Sequence, residues 1–388
     1  MSEELLYCYD KDIAEVSEKL KVAKEGDIGY IFITDLHNGA YLIRDENDNL
    51  VGYQSPERVA FREKRMIRQL EAVAEIAKNN DAIDFICVGG DMINGYETAP
   101  NAREIASWQI TSQLDPLKKS GKPVIVLMGN HDDGSFHRIY YPWGGNIKPE
   151  IVFSDKYWRE HFLTPYVPEN VVYDSNYEWS KYYYYDIVKG DKTTRVVALD
   201  TFDARLPFDS EGNVTKCTRD MLFYGHSDNE IKWLANEVLT PDFDGDVIIL
   251  CHIGMNNEIN FDDNPGGEEL TALLDAFQNK LAFFDDRLGI DVDYTENKGK
   301  ILVYNFGHMH SELFYFDDKT NLTHIGTGTA TTNGGGGTPG RENCPQFRIL
   351  SRAWDNEKEP CFDVVLASRE RLLKFNVGAG QDDQIEYK

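Results

Sequence analysis

The amino-acid sequence predicts an α/β fold built around a parallel β-sheet. Five apolar runs of strand length each end in residue types that bind metal ions. Apolar residues at helical spacing separate the first three of these runs, and β-rich sequence follows the fifth. Polar groups at the carboxyl ends of parallel strands collect at one edge of a sheet, where α/β proteins carry their chemistry. We therefore expect the strand ends to build the functional site.

The first third of the chain is predicted to have the order β-α-β-α-β. Pro56 begins a long helix, because apolar residues after it recur at three, four and seven spacing on one face. Right-handed crossovers would place the strands on either side of the helices in parallel. The predicted elements are a lead-in helix at about 10–23, strands at 29–35, 85–91 and 124–128, and helices from 56 and at about 102–117.

The rest of the chain is expected to belong to the same domain, covering residues 1–388. An aromatic-rich insertion is expected at about 134–180, where Tyr140, Tyr141 and Trp143 could stack on a substrate ring or simply pack together. A β-rich extension is expected at about 311–388, and its Gly334–Gly337 run is interpreted as a flexible lid. The other predicted elements are a hairpin at 182–200, a helix at 228–239 capped by Ser227 and Glu230, an amphipathic helix near 268–284, and strands at 313–316, 322–325, 362–366 and 372–377.

The charge balance restricts the possible partners. The formal net charge is -26, from 40 Lys+Arg against 66 Asp+Glu, and so acidic a surface disfavours nucleic-acid polymers and anionic membranes. A small phosphoester remains possible if a bound cation reverses the local charge. No apolar run reaches membrane-spanning length and no leader is evident, so a cytoplasmic location is expected, although a trimmed leader would look the same. The six cysteines form no CxxC pair and are expected to be reduced.

The residues at the strand ends form a mixed oxygen and nitrogen ligand set. Such a set suits Mn, Fe, Zn or Co better than Ca or Mg alone. Seven ligands are too many for one open catalytic ion. They suit two ions about 3.5–4 Å apart that share a bridging carboxylate. The candidate metal ligands are Asp35, His37, Asp91, Asn130, His252, His308 and His310.

Five short motifs contain these residues in a fixed order. They are D-L-H at 35–37, G-D at 90–91, G-N-H-D at 129–132, an isolated strand-end His252, and G-H-M-H at 307–310. In order and spacing they resemble the calcineurin-like metallophosphoesterase superfamily. The resemblance implies a four-layer α/β/β/α sandwich whose C-terminal strands complete the second sheet. It also implies two transition-metal ions, with Mn, Fe or Zn expected, and hydrolysis of a phosphoester.

The resemblance further implies a role for each residue of the motifs. Asp91 would bridge the two metals, and a water bridging both ions would attack the phosphoester in line, without a covalent enzyme intermediate. His131 would stabilise the transition state or donate a proton to the leaving oxygen, and Asp132 could orient His131. The expected ligands are Asp35, His37 and His310 for one metal, and Asn130, His252 and His308 for the other.

Some alternatives remain open. Protein Ser/Thr phosphatases of the superfamily carry G-D-x-x-D-R-G, whereas this chain reads G-D-M-I-N-G-Y at 90–96. The leading hypothesis is a phosphatase or phosphodiesterase acting on a small or nucleotide-like ester. A nuclease of the same superfamily and a non-catalytic scaffold with this fold are the alternatives. Four histidines lie outside the motifs and are expected to be structural, although two of them, His137 and His226, lie in loops that could reach the site. The four are His137, His161, His226 and His324.

Overall fold

The structure is a computed structural model of the chain. It describes residues 10–39, 42–44, 50–53, 56–95, 101–134, 152–203, 224–255, 265–330, 361–378 and 382–387. Within these ranges, none of the helices has both the length and the apolar character needed to cross a lipid bilayer. Several expectations fall outside the described residues, and they concern His137, Tyr140, Tyr141, Trp143 and the Gly334–Gly337 run.

Strands are more numerous than helices in the described ranges. The strands, numbered β1 to β17 in chain order, are Ile28–Ile33, Leu42–Arg44, Leu50–Tyr53, Phe85–Val88, Val124–Val126, Val172–Tyr173, Tyr183–Lys189, Lys192–Ala198, Asp246–Leu250, Ala282–Asp285, Ile290–Asp293, Lys300–Phe306, Leu313–Asp317, Leu322–Gly326, Phe362–Ala367, Arg371–Val377 and Asp383–Glu386. The α-helices, numbered α1 to α6, are Asp10–Lys19, Pro56–Asn79, Ala102–Lys118, Asp155–Trp158, Asp228–Trp233 and Gly267–Asn279. Short irregular helical turns extend three of them, at Leu20–Val22, Arg159–Leu163 and Leu234–Val238.

Two large mixed sheets contain most of these strands. The first sheet has the order β17-β16-β15-β1-β4-β5, and its β1, β4 and β5 run parallel. The second has the order β13-β14-β12-β9-β8-β7-β6, and its β8, β9, β12 and β14 run parallel. The five strands predicted to end in metal-binding residues are β1, β4, β5, β9 and β12. All five therefore have a parallel neighbour, as their apolar character and the crossover rule indicate.

The two hydrophobic clusters define four layers. Helices α1, α2 and α3 pack on the first sheet in one cluster, which also fills the space between the sheets. Helices α5 and α6 pack on the outer face of the second sheet in the other cluster. Successive residues of β9 alternate between the two, with Ile248 and Leu250 facing the first sheet and Val247 and Ile249 facing the helices. The predicted α/β/β/α sandwich is confirmed.

The C-terminal strands do not all join the second sheet. Strands β13 and β14 do so, but β15 pairs antiparallel with β1, and β16 and β17 continue the first sheet outward. The prediction that the C-terminal strands complete the second sheet is therefore wrong for β15 to β17. Without β15, the central strand β1 would expose a row of unpaired backbone groups, and its pairing removes that exposed edge.

Helix α4 is not among the predicted elements, and the other described helices agree with the predictions except at two details. The Ser227 hydroxyl accepts a hydrogen bond from the Glu230 N–H at 3.1 Å, as predicted for an N-cap. The Glu230 side chain instead accepts from the Asp200 N–H, at 2.7 Å. Helix α6 ends at Asn279 rather than near residue 284, because Lys280 takes a left-handed conformation and residues 282–285 form β10.

Candidate metal centre

The carboxyl ends of five parallel strands place the candidate ligands. Asp35 and His37 follow β1, Asp91 follows β4 and Asn130 follows β5, all in the first sheet. His252 follows β9, and His308 and His310 follow β12, in the second sheet. The two sheets face each other, so their strand ends meet. The structure brings all seven side chains into one cluster, six of them buried and His308 half-buried.

A first group of potential ligands contains Asp35, His37, Asp91 and His310. Each offers one ligand atom, and the four atoms lie within 4.8 Å of one another. His310 Nε2 lies 3.0 Å from Asp35 Oδ1 and 2.9 Å from His37 Nε2. His37 Nε2 lies 3.8 Å from Asp91 Oδ2. These nitrogen and carboxylate atoms therefore converge on one buried point.

A second group shares Asp91 with the first. It contains Asp91, His252 and His308, whose ligand atoms also lie within 4.8 Å of one another. His252 Nε2 lies 3.4 Å from Asp91 Oδ1, whereas His37 faces the other oxygen of this carboxylate, Oδ2. Asn130 Oδ1 lies 3.2 Å from His252 Nε2 and 3.0 Å from His308 Nδ1. The geometry thus offers two adjacent groups with one carboxylate between them.

The backbone at these residues is held in an uncommon conformation. Positive φ angles are rare for residues other than glycine, and at a functional site they indicate constraint imposed by the surroundings. Among the described non-glycine residues, seven have positive φ, and five of these belong to the cluster. The five are Asp35 at 56°, His37 at 47°, Asp91 at 51°, His308 at 66° and His310 at 51°. The loops after β1, β4 and β12 therefore turn sharply to point these side chains inward.

Two glycines, Gly90 and Gly129, allow the loops after β4 and β5 to lie against the ligand side chains. A Cβ atom at Gly90 would lie 2.6 Å from His252 Nδ1, and Gly90 itself has φ +95°. A Cβ atom at Gly129 would lie 2.1 Å from both the backbone nitrogen and Oδ1 of Asp91. No real side chain tolerates such distances, so glycine is required at Gly90 if His252 is to stay in place and at Gly129 if Asp91 is to stay in place.

The charges within the cluster shift its pKa values in different directions. Burial opposes ionisation of Asp91, but the positive charges of His252 and His131 outweigh it and hold the pKa of this carboxyl well below its usual range. Burial also acts on His252, yet Asp91 and Asp35 raise its pKa to about 9. Burial together with the neighbouring imidazoles lowers the pKa of His37 well below its usual range and that of His308 to about 3. The neutral rings of His37 and His308 are thus able to act as ligands.

The donor set fits a pair of transition-metal ions. Two carboxylates, one amide oxygen and four imidazoles are buried together, and several of their lone pairs face one another at about hydrogen-bond distance. Buried carboxylates and converging lone pairs are costly unless protons or cations lie between them. Mixed oxygen and imidazole ligands suit Mn, Fe or Zn. The shared carboxylate Asp91 is suited to lie between two ions.

His131 lies at the edge of this cluster. Its Nε2 is 3.8 Å from Asp91 Oδ2, and its backbone N–H donates to Asp91 Oδ1 at 2.9 Å. The ring Nδ1 faces the Asn94 carbonyl at 2.9 Å, which leaves Nε2 pointing toward the metal groups. Burial lowers the pKa of His131, although Asp91 and Asn94 oppose this shift.

The orienting role expected of Asp132 stays a prediction, and the Asn94 carbonyl contacts Nδ1 of His131. The two carboxylate oxygens of Asp132 accept hydrogen bonds from the backbone, Oδ2 from the Gly129 N–H at 2.8 Å and Oδ1 from the Ile93 N–H at 3.2 Å. Asp132 therefore ties the loop after β5 to the loop after β4. Sequence reasoning missed Asn94 because it contacts His131 through its backbone carbonyl, which every residue type carries.

The other described histidines lie outside the two groups. His226 Nδ1 lies 2.7 Å from Glu230 Oε2, and His161 stacks on Tyr157 with ring centroids 3.8 Å apart. His324 is buried in β14, where its ring stacks on Tyr315.

The described cysteines Cys87, Cys251 and Cys361 are free and buried.

Comparison with known proteins gives the family. The sequence model of the calcineurin-like phosphoesterase family matches residues 29–312, which include every residue of the cluster. The chain belongs to the calcineurin-like phosphoesterase family. Members of this family bind a dimetal centre, and the buried Asp/His cluster of this calcineurin-like phosphoesterase could hold such metals. A comparison with curated proteins gives no match.

Three solved structures are similar to this chain to different degrees. A dimetal phosphatase from Danio rerio aligns with a TM-score of 0.51 and 14 % identity, over 93 % of this chain and 99 % of that chain. GAP50, the anchor in the inner membrane complex of Plasmodium, aligns with a TM-score of 0.47 and 10 % identity, over 93 % and 89 % of the two chains. The calcineurin-like phosphoesterase YfkN from Bacillus subtilis aligns with a TM-score of 0.37 and 11 % identity, over 93 % of this chain and 88 % of that chain. At 14 % identity, the similarity to the Danio rerio phosphatase concerns the fold alone.

Proposed function

We propose that this protein hydrolyses a small phosphoester, a mono- or diester, with two transition-metal ions. The observation that carries the proposal is the sharing of Asp91 between two adjacent groups of buried ligands. One ion would be held by Asp35, His37 and His310, and the other by Asn130, His252 and His308. Two such ions lower the pKa of water that contacts them and withdraw charge from a phosphoryl group.

The residues of this chain would hold the reacting groups in position. Positioning and electrostatic stabilisation account for most of the catalysis in phosphoryl transfer. Asp91, with its low pKa, stays ionised at neutral pH and keeps its charge between the two metal sites. His131 presents Nε2 beside them while the Asn94 carbonyl holds Nδ1. In this arrangement His131, when protonated on both ring nitrogens, would donate its Nε2 proton to the leaving oxygen of the ester and become neutral.

The charge of the protein supports a small substrate. A net charge of -26 repels a polyanion over distances comparable with the Debye length. A small ester carries few charges, and the cations of the site would balance them locally. We therefore propose a small or nucleotide-like ester rather than a nucleic-acid polymer.

Turnover of model esters tests the proposal directly. Purified protein supplied with Mn²⁺ is expected to hydrolyse p-nitrophenyl phosphate or bis(p-nitrophenyl) phosphate, and a chelator should abolish the activity because the proposed chemistry needs both ions. Release of p-nitrophenol measures the rate, and the metal content of the same samples shows whether two ions bind per chain. Two bound ions without turnover of either ester, across Mn²⁺, Zn²⁺ and Fe²⁺, would contradict the proposal.

The role of His131 can be separated from metal binding through the leaving group. A proton donor matters most when the departing oxygen is strongly basic. We expect His131→Asn to lower kcat by about 10²-fold for phenyl phosphate, the lower end for general acid catalysis. The loss should be much smaller for p-nitrophenyl phosphate, whose leaving group needs little protonation. Metal content should not change, and equal losses for both esters would be inconsistent with proton donation.

A further inference from the structure

A buried lysine of the C-terminal strands is connected to the candidate metal centre by a series of hydrogen bonds through Glu312 and segment 327–330. Lys374 in β16 is 1 % exposed, and its Nζ lies 2.8 Å from Glu312 Oε2 and 3.0 Å from Asp383 Oδ2. A lysine is almost never this deeply buried without such partners. Glu312 follows His310 by two residues along the chain. The ion pair with Lys374 therefore fixes a point next to a candidate ligand.

The second oxygen of Glu312 holds the segment 327–330, which follows β14. Glu312 Oε1 accepts a hydrogen bond from the Gly328 N–H at 2.6 Å. A Cβ atom at Gly328 would lie 2.7 Å from both this oxygen and Cys361 Sγ, so the segment fits closely between them. Thr327 Oγ1 donates to Asp363 Oδ2 at 2.7 Å. Segment 327–330 is thus fixed by hydrogen bonds to Asp363 in β15 and to Glu312.

Segment 327–330 in turn contacts the first metal group. Thr329 Oγ1 donates to the backbone carbonyl of Asp35 at 2.9 Å, and the Ala330 N–H donates to the carbonyl of Thr34 at 2.9 Å. Asp35 has a positive φ of 56°. A conformation of this kind persists only where the surrounding structure imposes it. The two hydrogen bonds from segment 327–330 are part of that constraint.

We propose that Glu312, fixed by Lys374, is a positioning residue for one of the two metal sites. It holds Asp35 through segment 327–330 and holds His310 through the short chain connection. This inference rests on the proposed function, since it assumes that Asp35, His37 and His310 share an ion. The side chains of the other site are not bonded to Glu312 or Lys374 in the described ranges, and they are Asn130, His252 and His308. The support is therefore specific to one ion.

The residues that supply this support lie beyond the part of the chain that the family model matches. The match ends at residue 312, whereas Lys374 and segment 327–330 lie beyond it. The β-rich extension would therefore do more than extend the first sheet. Its β15 and β16 would set the geometry of a metal site built on β1 and β12.

Metal titration of a lysine variant tests the inference. Lys374→Met keeps the apolar stem and removes the charge that fixes Glu312. In calorimetric titrations of metal-free protein with Mn²⁺, we expect one of two binding steps to weaken by about 10-fold or more, as for other residues that support metal ligands. The second step should keep its wild-type affinity. Lys19→Met is the matched control, because Lys19 pairs with Asp382 at 2.7 Å and has no bond to Glu312.

The outcomes separate the inference from the proposed function. Wild-type protein that fails to bind two ions would overturn the proposed function itself. Wild-type protein that binds two ions, with Lys374→Met binding both equally well or weakening both alike, would overturn the inference alone. If Lys374→Met does not fold, as judged by circular dichroism of the metal-free protein, Glu312→Gln takes its place. It keeps an acceptor for the Gly328 N–H, loses the ion pair and is expected to weaken the same step.

Discussion

Asp91→Ala is expected to remove both metal ions and reduce phosphoester hydrolysis by at least ~10³-fold. A metal acting as a Lewis acid contributes several kcal/mol to transition-state stabilisation, which corresponds to roughly three decades in rate. Asp91 is the only described carboxylate that belongs to both ligand groups, so its loss affects both ions. The measurements are turnover of p-nitrophenyl esters with Mn²⁺ and the metal content of the purified variant.

Two further variants make this result specific to the Asp91 charge. Asp91→Asn keeps an oxygen acceptor for the His131 N–H, which bonds to Asp91 Oδ1 at 2.9 Å, and it should be nearly as inactive as Asp91→Ala. Asp84→Asn is the control, because Asp84 precedes the same strand β4 at its opposite end, where it accepts from the Gly29 N–H. Asp84→Asn should keep full metal content. An active Asp91→Ala protein would mean that the site lies elsewhere.

Gly129→Ala is expected to damage both the fold and the site. The new Cβ would lie 2.1 Å from Asp91 backbone nitrogen and from Asp91 Oδ1, and neither atom belongs to a side-chain end that can swing away freely. Overpacking of this kind costs about 1–3 kcal/mol. A shift of about 1 Å in the Asp91 carboxylate would also cost ~10²-fold in rate. Urea unfolding of the metal-free protein and turnover with Mn²⁺ measure the two effects.

A second glycine in the same region supplies the control for Gly129→Ala. Gly121 precedes β5, and a Cβ there would meet no atom within 4 Å, although its φ of +73° adds strain. Gly121→Ala should therefore lose about 1–2 kcal/mol from the left-handed backbone alone and keep normal metal binding. If Gly129→Ala resembled Gly121→Ala in metal content and rate, close contact with Asp91 would not explain the glycine.

Much of the arrangement around the site could be predicted from the sequence. The apolar runs that become β1, β4, β5, β9 and β12 are buried along their whole length, and such runs are typical of parallel strands. Parallel strands with right-handed crossovers must end at one edge. That rule is enough to bring Asp35, Asp91 and Asn130 together. The gathering of His252, His308 and His310 opposite them depended on the resemblance to a known family.

The pairing of β15 and the formation of β10 could not be predicted because both depend on tertiary contacts. An alternating run such as 362–366 has the same pattern whichever sheet it joins, and pairing with β1 becomes visible only in the folded chain. The apolar residues 281–284 continue the spacing of helix α6, but they follow the left-handed Lys280 and pair with β11 instead. A positive φ at a lysine has no signal in the sequence. The contact of Asn94 with His131 is hidden for a similar reason, since it uses a backbone carbonyl.

The candidate ligands come from both sheets, which has a consequence for the stability of the protein. Under the proposed assignment each ion would join the two halves of the sandwich, since Asp35 and Asn130 follow strands of the first sheet and His310 and His252 follow strands of the second. The ions would then act as removable cross-links between layers that are also joined by apolar packing, hydrogen bonds and ion pairs such as Lys189–Asp84. A ligand present at 100 times its dissociation constant stabilises the folded state by about 2.7 kcal/mol. The melting temperature of this protein should therefore rise with the concentration of free metal.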